Sequence, residues 1–191
     1  ARAPLRLRGN GVFAFVLSRF TGKESVTYTT VYNGRNDSRL SRSVMLLAKT
    51  IPVVANFEDG TKVLDFTREM QTQLMNSMAN DACSLAELAS NYGVKADIIL
   101  VYQGESFNFD SMCGEKAQIT DIASDTAKAP ISVNIYIKDN KFEYTVEYRK
   151  DIYSVKFSEA LIEAINETAK AFIKCEDIKD ISMLSQSSED T

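Results

Sequence analysis

The sequence predicts an α/β protein of the α+β type, in which helices pack on one mixed β-sheet. The clearest sign is a pair of segments, 131–137 and 142–148, whose apolar and polar side chains alternate as in an antiparallel hairpin. A second sign is the predicted element order: helix, strand, strand, two helices, strand, long loop, hairpin, helix. Because this order lacks regular βαβ alternation, it argues against a doubly wound parallel sheet.

The first part of the chain predicts one helix and two strands. Residues 12–20 are apolar on more than one side of a helix, and Asn10 and Gly22 are suited to begin and end it. The elements that follow are a strand at 25–32 closed by Asn33 and Gly34, a polar loop or short helical turn at 36–43, and a second strand within the apolar run 44–54.

The remaining elements complete the sheet and its helical cover. They are a turn at 58–60, a helix at 62–79 capped by Thr61, a short helix at 84–90, a strand at 97–102 buried on both faces, an excursion at 104–129, the hairpin, and a helix at 158–173. In the hairpin, Asp139 and Asn140 supply the turn, Val133 faces the core and Ser132 faces solvent. We assign one domain, 1–184, and a polar tail, 185–191.

The composition limits the classes of function. The chain has 191 residues, enough for one domain with a substantial core, and its net charge of −4 argues against a nucleic-acid partner. It contains no histidine, so the commonest general base and the commonest metal ligand are both missing. Asp59, Asp110 and Asp121 form no Ca²⁺ or Mg²⁺ pattern, so no metal site is predicted.

The sequence also bears on location. No apolar run approaches the length of a membrane span, and the first residues lack the apolar stretch of a signal peptide. Three cysteines without metal-type spacing predict free thiols, which fit a reducing cytoplasm. We therefore expect a cytoplasmic protein without a membrane partner.

Four segments resemble motifs of the condensation domains of nonribosomal peptide synthetases. Residues 15–22 (FVLSRFTG) are similar to the family's helix end, vLsrytG, and residues 32–35 (YNGR) to its strand end in Gly-Arg. Residues 44–52 (VMLLAKTIP) follow V-G-M-F-V-N-T-L-P, and residues 80–85 (NDACSL) stand at its Q-D-x-P-F-like motif. The order and spacing of these motifs extend the resemblance over nearly the whole chain.

The chain departs from the family pattern at several positions. Met45 stands at the motif's glycine and Lys49 at its asparagine, while Ser84 and Leu85 replace Pro and Phe. The later R-D-x-S-R-N-P motif is hardly recognisable in residues 91–96. These departures put in doubt whatever the close backbone approach at the missing glycine serves.

The resemblance implies one lobe of a chloramphenicol-acetyltransferase-like fold, whose two lobes enclose an active-site tunnel. The family's catalytic motif, H-H-x-x-x-D-G, lies near the end of the N-terminal lobe, and this chain has no histidine. We therefore expect the C-terminal half of a condensation domain, with no catalytic residue of its own and no activity alone.

The resemblance also implies a reaction and its partners. The intact domain would form an amide bond between an acyl or peptidyl thioester and an aminoacyl thioester. The implied partners are the N-terminal half of the same domain and peptidyl carrier proteins. The carrier proteins bring the phosphopantetheine arms, so no cofactor is bound directly.

Six polar residues are candidates for function under this resemblance. The candidates for the substrate channel or the contact between lobes are Arg35, Lys49, Asn80 and Asp81. The candidates for docking carrier proteins are Arg39 and Arg42, which with Lys49 form a local basic patch. Each has a simpler alternative: a locally paired arginine, a solvated basic face or a helix cap.

Two other functions stay open from the sequence. A non-catalytic, condensation-like recruitment module that binds a carrier or tailoring protein is favoured by the departures at Met45, Lys49 and Ser84. A stand-alone α/β ligand-binding domain is less compatible with the apolar helix so near residue 1. For a severed lobe, we expect the excursion 104–129 to cross to the missing half and the isolated chain to self-associate through uncovered apolar surface.

Overall fold

The computed structural model describes residues 5–35, 38–40, 42–58, 60–105, 111–112, 115–116, 129–138 and 141–183. The helices are α1 (Leu5–Thr21), α2 (Val63–Ala79), α3 (Leu85–Tyr92) and α4 (Val155–Lys174), with 3₁₀ turns at Ser38–Leu40 and Ile178–Asp180. The strands are β1 (Ser25–Tyr32), β2 (Lys49–Asn56), β3 (Ile98–Glu105), β4 (Ser111–Met112), β5 (Glu115–Lys116), β6 (Ile131–Lys138) and β7 (Lys141–Tyr148).

The main sheet has five strands in the order β2-β1-β3-β6-β7. The inner strands β1, β3 and β6 run parallel, and each edge strand is antiparallel to its neighbour. The predicted mixed sheet with helices packed on it is therefore confirmed. Helices α2 and α3 lie between β2 and β3 in the chain, so they form the connection back to the middle of the sheet.

Helix α1 lies in the middle of the core. The residues from Val12 to Leu17 are at most 5% exposed, which confirms burial on more than one side of the helix. The ring of Phe13 meets the ring of Tyr28 edge to face at 5.3 Å. The prediction that Asn10 caps the helix is wrong, because α1 begins earlier, at Leu5. The Oδ1 atom of Asn10 instead accepts a hydrogen bond of 2.9 Å from Tyr28 Oη.

The start of α2 also differs from the prediction. Thr61 is not its cap, because the Thr61 hydroxyl donates to the carbonyl of Glu58 at 2.8 Å and so closes the preceding turn. The N-cap position belongs to Lys62, which pairs as an isolated bridge with Asp177.

The short helix predicted at 84–90 is present as α3, shifted slightly to Leu85–Tyr92. Ser84 caps it in a reciprocal capping box with Glu87, and Gly93 ends it with a φ of 68°. The hydrogen bonds from Ser84 hold the pKa of Glu87 below its usual range. The turn between α2 and α3, which carries the candidates Asn80 and Asp81, is therefore fixed on its α3 side.

The hairpin is confirmed in its strands but not in its faces. Val133 is buried, as predicted, yet Ser132 and Asn134 on the opposite face are only 6% and 9% exposed. The prediction that Ser132 faces solvent is wrong, because Ser132 is buried in β6, which lies between β3 and β7 in the sheet. The hairpin turn, 139–140, lies outside the described residues.

The excursion 104–129 is only partly described. Strand β3 continues into its beginning, to Glu105, and β4 and β5 form a separate two-stranded sheet. The rest of the excursion lies outside the described residues, as does the predicted tail 185–191.

Candidate functional site

The candidate site lies where β1 ends and β2 begins. The two strands are antiparallel neighbours, and Tyr32, the last residue of β1, pairs directly with Lys49, the first residue of β2. The intervening segment, 33–48, therefore leaves the sheet and returns to it at one place. This segment carries all three candidate arginines, Arg35, Arg39 and Arg42.

Gly34 allows the chain to fold back at the end of β1. Its φ is 67°, and a Cβ at this position would lie 1.9 Å from the carbonyl oxygen of Leu47. No side chain fits a contact this short, so glycine is required where the two ends of the segment meet. The sequence pattern indicated only that a strand ends here.

Arg35 holds the segment together from inside. Its Nη1 donates to the carbonyl oxygens of Leu40 at 2.6 Å and Ser43 at 3.1 Å, and its Nη2 donates to the carbonyl of Met45 at 3.0 Å. The side chain is half-buried by these contacts. The geometry matches the simpler alternative for this residue, a locally paired arginine, and makes Arg35 the organiser of the segment.

Lys49 and Asp81 form the base of the site. Lys49 Nζ lies 3.1 Å from Asp81 Oδ2 and donates to the Asp81 carbonyl oxygen at 3.0 Å. Tyr32 Oη donates to the same carboxylate. Asp81 lies just after α2, so the ammonium group also meets the negative end of the helix dipole.

The sequence singled out Lys49 and Asp81 separately but not Tyr32. The antiparallel register of β1 and β2 places Tyr32 beside Lys49, and that register is the signal that would have found it. Tyr32 is 5% exposed, so its hydroxyl depends on the Asp81 carboxylate for a partner inside the protein.

Asn80 is bonded to the last turn of α2 rather than to Asp81. Its backbone N–H and its side-chain Nδ2 both donate to the carbonyl of Asn76, at 3.0 and 2.9 Å. Asn80 thus ends α2, which corresponds to the helix-cap alternative.

Arg39 and Arg42 have exposed side chains, as a docking role requires. Arg39 lies in the 3₁₀ turn Ser38–Leu40, and Arg42 follows it. Lys49 adds little to a basic patch with them, because Asp81 balances its charge.

The outer end of the segment carries three consecutive apolar side chains. Val44 is 102% exposed, Met45 56% and Leu46 91%. We call these three residues the apolar tip. Arg35 donates to the loop carbonyls and Lys49 binds Asp81 just after α2, whereas the side chains of the tip are exposed.

The described part of the chain also bears on other kinds of site. There, no group of three or more Cys, Asp or Glu side chains is arranged to hold a metal ion. Among the described helices, none is long and apolar enough to cross a membrane. Cys83 and Cys175 are free thiols.

Comparison with known proteins gives one family. The model of the condensation domain family matches residues 11–191. Bacitracin synthase 1 of Bacillus licheniformis is 21% identical over 170 residues, which cover 82% of this chain and 3% of that protein.

Solved structures share the fold at low sequence identity. A four-domain nonribosomal peptide synthetase bound to AMP and glycine aligns with a TM-score of 0.83 and 12% identity, over 97% of this chain and 16% of the other. A mutant of the starter condensation domain of rhizomide synthetase aligns with a TM-score of 0.81 and 14% identity, over 96% and 47%. The X-domain in complex with OxyB, from teicoplanin biosynthesis, aligns with a TM-score of 0.77 and 11% identity, over 97% of this chain and 44% of the other.

The lengths of these proteins differ from that of this chain. The chain spans about half the length of the starter condensation domain structure and a small fraction of bacitracin synthase 1. The described α/β fold is the fold of these condensation domain structures.

Proposed function

Because the chain belongs to the condensation domain family, we propose that it is the C-terminal subdomain of a nonribosomal peptide synthetase condensation domain, in residues 1–184. Nearly all of the chain aligns with 47% of the starter condensation domain structure, which supports a half-domain. We assign it to one lobe of a chloramphenicol-acetyltransferase-like fold, in a cytoplasmic protein.

In the intact domain, the reaction is amide-bond formation between two carrier-bound substrates. The amine of the aminoacyl thioester attacks the carbonyl of the acyl or peptidyl thioester. The new C–N bond replaces the C–S bond, the thiolate leaves on its phosphopantetheine arm, and the amine loses a proton. This chain has no histidine to take that proton, and this observation supports placing the base in the other half.

The contribution of this lobe is then to position substrates. Holding two reactants in register is worth several kcal/mol, about 7–11 for well-oriented intramolecular reactions. Arg35, Lys49 and Asp81 make the contacts where β1 ends and β2 begins, and we assign them to the wall of the channel or to the contact between lobes. We assign Asn80 to the same wall, although its own hydrogen bonds are to the last turn of α2.

Carrier proteins are the expected partners of this lobe. The side chains of Arg39 and Arg42 are exposed at the surface. We assign them to carrier docking, where charge chiefly raises the association rate and fixes orientation.

A second candidate function is a non-catalytic recruitment module. Two observations favour it: Met45 and Lys49 depart from the family motif, and the X-domain with a similar fold was solved in complex with OxyB. Such a module would bind a carrier or tailoring protein without forming an amide bond.

One experiment separates the two candidates. The full-length protein, including the residues encoded before position 1, is mixed with carrier proteins loaded with acyl and aminoacyl groups, and the amide product is measured by mass spectrometry. A product that depends on a histidine of the preceding segment supports the condensation domain. Carrier binding without product, together with a degenerate H-H-x-x-x-D-G motif, supports the recruitment module.

A further inference from the structure

We propose that the apolar tip, Val44, Met45 and Leu46, is a docking element that binds the N-terminal half of the condensation domain. The inference rests on the proposed function, because that function supplies the partner. It goes further by naming the surface through which the two halves meet. None of the candidate residues from the sequence analysis belongs to this surface.

The exposure of the tip is the first observation. Val44 and Leu46 are 102% and 91% exposed, more than any other large apolar side chain that the structure describes. Single exposed apolar residues are common on soluble proteins, but three in succession form a patch of the kind that marks interfaces. The tip therefore gains the full benefit of burial only when another surface covers it.

The second observation is that the tip is held in place. Arg35 donates to the carbonyl oxygen of Met45, within the tip itself, and to that of Ser43 just before it. Directly after the tip, the carbonyl of Leu47 lies against Gly34. A segment fixed at both sides loses little conformational entropy on binding, which is what distinguishes a docking element from a loose loop.

The third observation concerns the base of the segment. Tyr32 and Lys49 stand opposite each other where the segment leaves and enters the sheet, and both bind Asp81. This clamp joins the segment to the end of α2. The base of the segment is therefore anchored both to the sheet and to the end of α2.

The choice of partner follows from the lengths of the related structures. This chain aligns with 47% of the starter condensation domain structure and 41% of the first condensation domain of the calcium-dependent antibiotic synthetase. More than half of such a domain is therefore absent from this chain, and it is the largest surface available to cover the tip. A second copy of the chain is the competing occupant, and the experiment below distinguishes it.

The direct test is amide hydrogen exchange in the peptide 42–48. It is measured in the 191-residue chain, diluted to a monomer, and in the full-length protein that includes the residues encoded before position 1. We expect exchange in this peptide to slow by at least about tenfold in the full-length protein. Equal exchange in the two proteins would overturn the proposal. Protection that appears only when the 191-residue chain is concentrated would also overturn it, because it would show that a second copy of the chain covers the tip.

A pair of variants tests the same surface by stability. Val44→Ser with Leu46→Ser should leave the thermal midpoint of the 191-residue chain unchanged, because both side chains are already exposed. The same pair should lower the midpoint of the full-length protein. The control pair, Ile152→Ser with Val155→Ser, replaces apolar residues that are 50% and 60% exposed and should shift the thermal midpoints of the two proteins equally.

The outcomes separate this inference from the proposed function. If the full-length protein forms the amide product but the tip stays unprotected and the variants are silent, the docking element is wrong and the proposed function stands. If the preceding residues contain no condensation half, both are overturned. Protection of the tip together with a stability loss confined to the full-length protein supports both.

Discussion

The ammonium group of Lys49 binds Asp81 twice, at 3.1 Å from the carboxylate Oδ2 and at 3.0 Å from the backbone carbonyl oxygen. This double contact ties the first residue of β2 to the turn after α2. Tyr32 completes the cluster from the last residue of β1. Three elements that are distant in the sequence therefore meet at one carboxylate, and the candidate site depends on it.

Asp81→Ala should destabilise the chain by about 1–3 kcal/mol, because it leaves the buried Tyr32 hydroxyl and the Lys49 ammonium without their carboxylate. The measurement is the free energy of unfolding in urea. Asp65→Ala is the control, since it removes a surface ion pair with Arg68. The side chains of Arg68 and Asp65 are 66% and 63% exposed, and a surface ion pair of this kind stabilises a protein by at most about 1 kcal/mol. Equal losses in the two variants would show that the cluster contributes nothing beyond a surface pair.

Gly34→Ala should cost more than Gly60→Ala, although both residues have positive φ, 67° and 79°. The positive φ alone costs an alanine roughly 1–2 kcal/mol. At Gly34 the new Cβ also meets the carbonyl of Leu47 at 1.9 Å, whereas at Gly60 nothing lies within 4 Å. The segment must therefore open at Gly34, and urea unfolding of the two variants measures the difference. Equal costs would contradict the close approach.

Two substitutions on opposite faces of β6 should both destabilise the hairpin. Val133→Asp and Ser132→Asp each place a carboxylate at a buried position, 1% and 6% exposed. A buried carboxylate without a partner costs several kcal/mol, a large part of a domain's stability of about 5–15 kcal/mol. Thr145→Asp, on the exposed face of the edge strand β7, is the control and should be nearly silent. A silent Ser132→Asp would restore the original face assignment and contradict the structure.

Stability should fall at alkaline pH through Tyr28. Burial raises the pKa of Tyr28 above its ordinary value of 10.0, so the unfolded chain loses this proton at a lower pH than the folded chain does. The contribution of the protonated Tyr28 to the free energy of unfolding is complete below about pH 10 and is lost as the pH rises above that value. Unfolding free energies between pH 8 and 11 should therefore decline less in Tyr28→Phe than in the wild type. Tyr92→Phe, at a 78% exposed position, is the control and should keep the full decline; an unchanged decline in Tyr28→Phe would contradict the assignment.

The strands and helices could be predicted because their patterns are local. Residues 131–137 and 142–148 alternate over a full hairpin, and Ser84 and Gly93 mark the ends of α3 within a few positions. The face of Ser132 could not be predicted in this way, since a polar side chain in an alternating strand reads as solvent-facing. The structure shows Ser132 buried in a strand that lies between β3 and β7, and the alternating pattern of β6 alone contains neither its neighbours nor its burial.

The sequence indicates three residues of the candidate site but neither Tyr32 nor the contacts between them. Arg35, Lys49 and Asp81 were singled out one by one from motif positions. Their partners, the loop carbonyls for Arg35 and Tyr32 with Asp81 for Lys49, are set by the fold-back at Gly34 and the β1–β2 register. Thr61 shows the same limit, because its hydroxyl donates to Glu58 in the preceding turn and does not cap α2.

We propose that this chain is one half of a catalytic unit whose base lies in the other half. The most direct measurement is amide formation from loaded carrier proteins by the 191-residue chain alone and by the same chain together with the segment encoded before it. Since general acid–base help is worth roughly 10²–10⁴-fold and the chain has no histidine, we expect no product above background from the chain alone and restored turnover from the pair. Turnover by the isolated 191 residues would contradict the claim, because it would require a base within this chain.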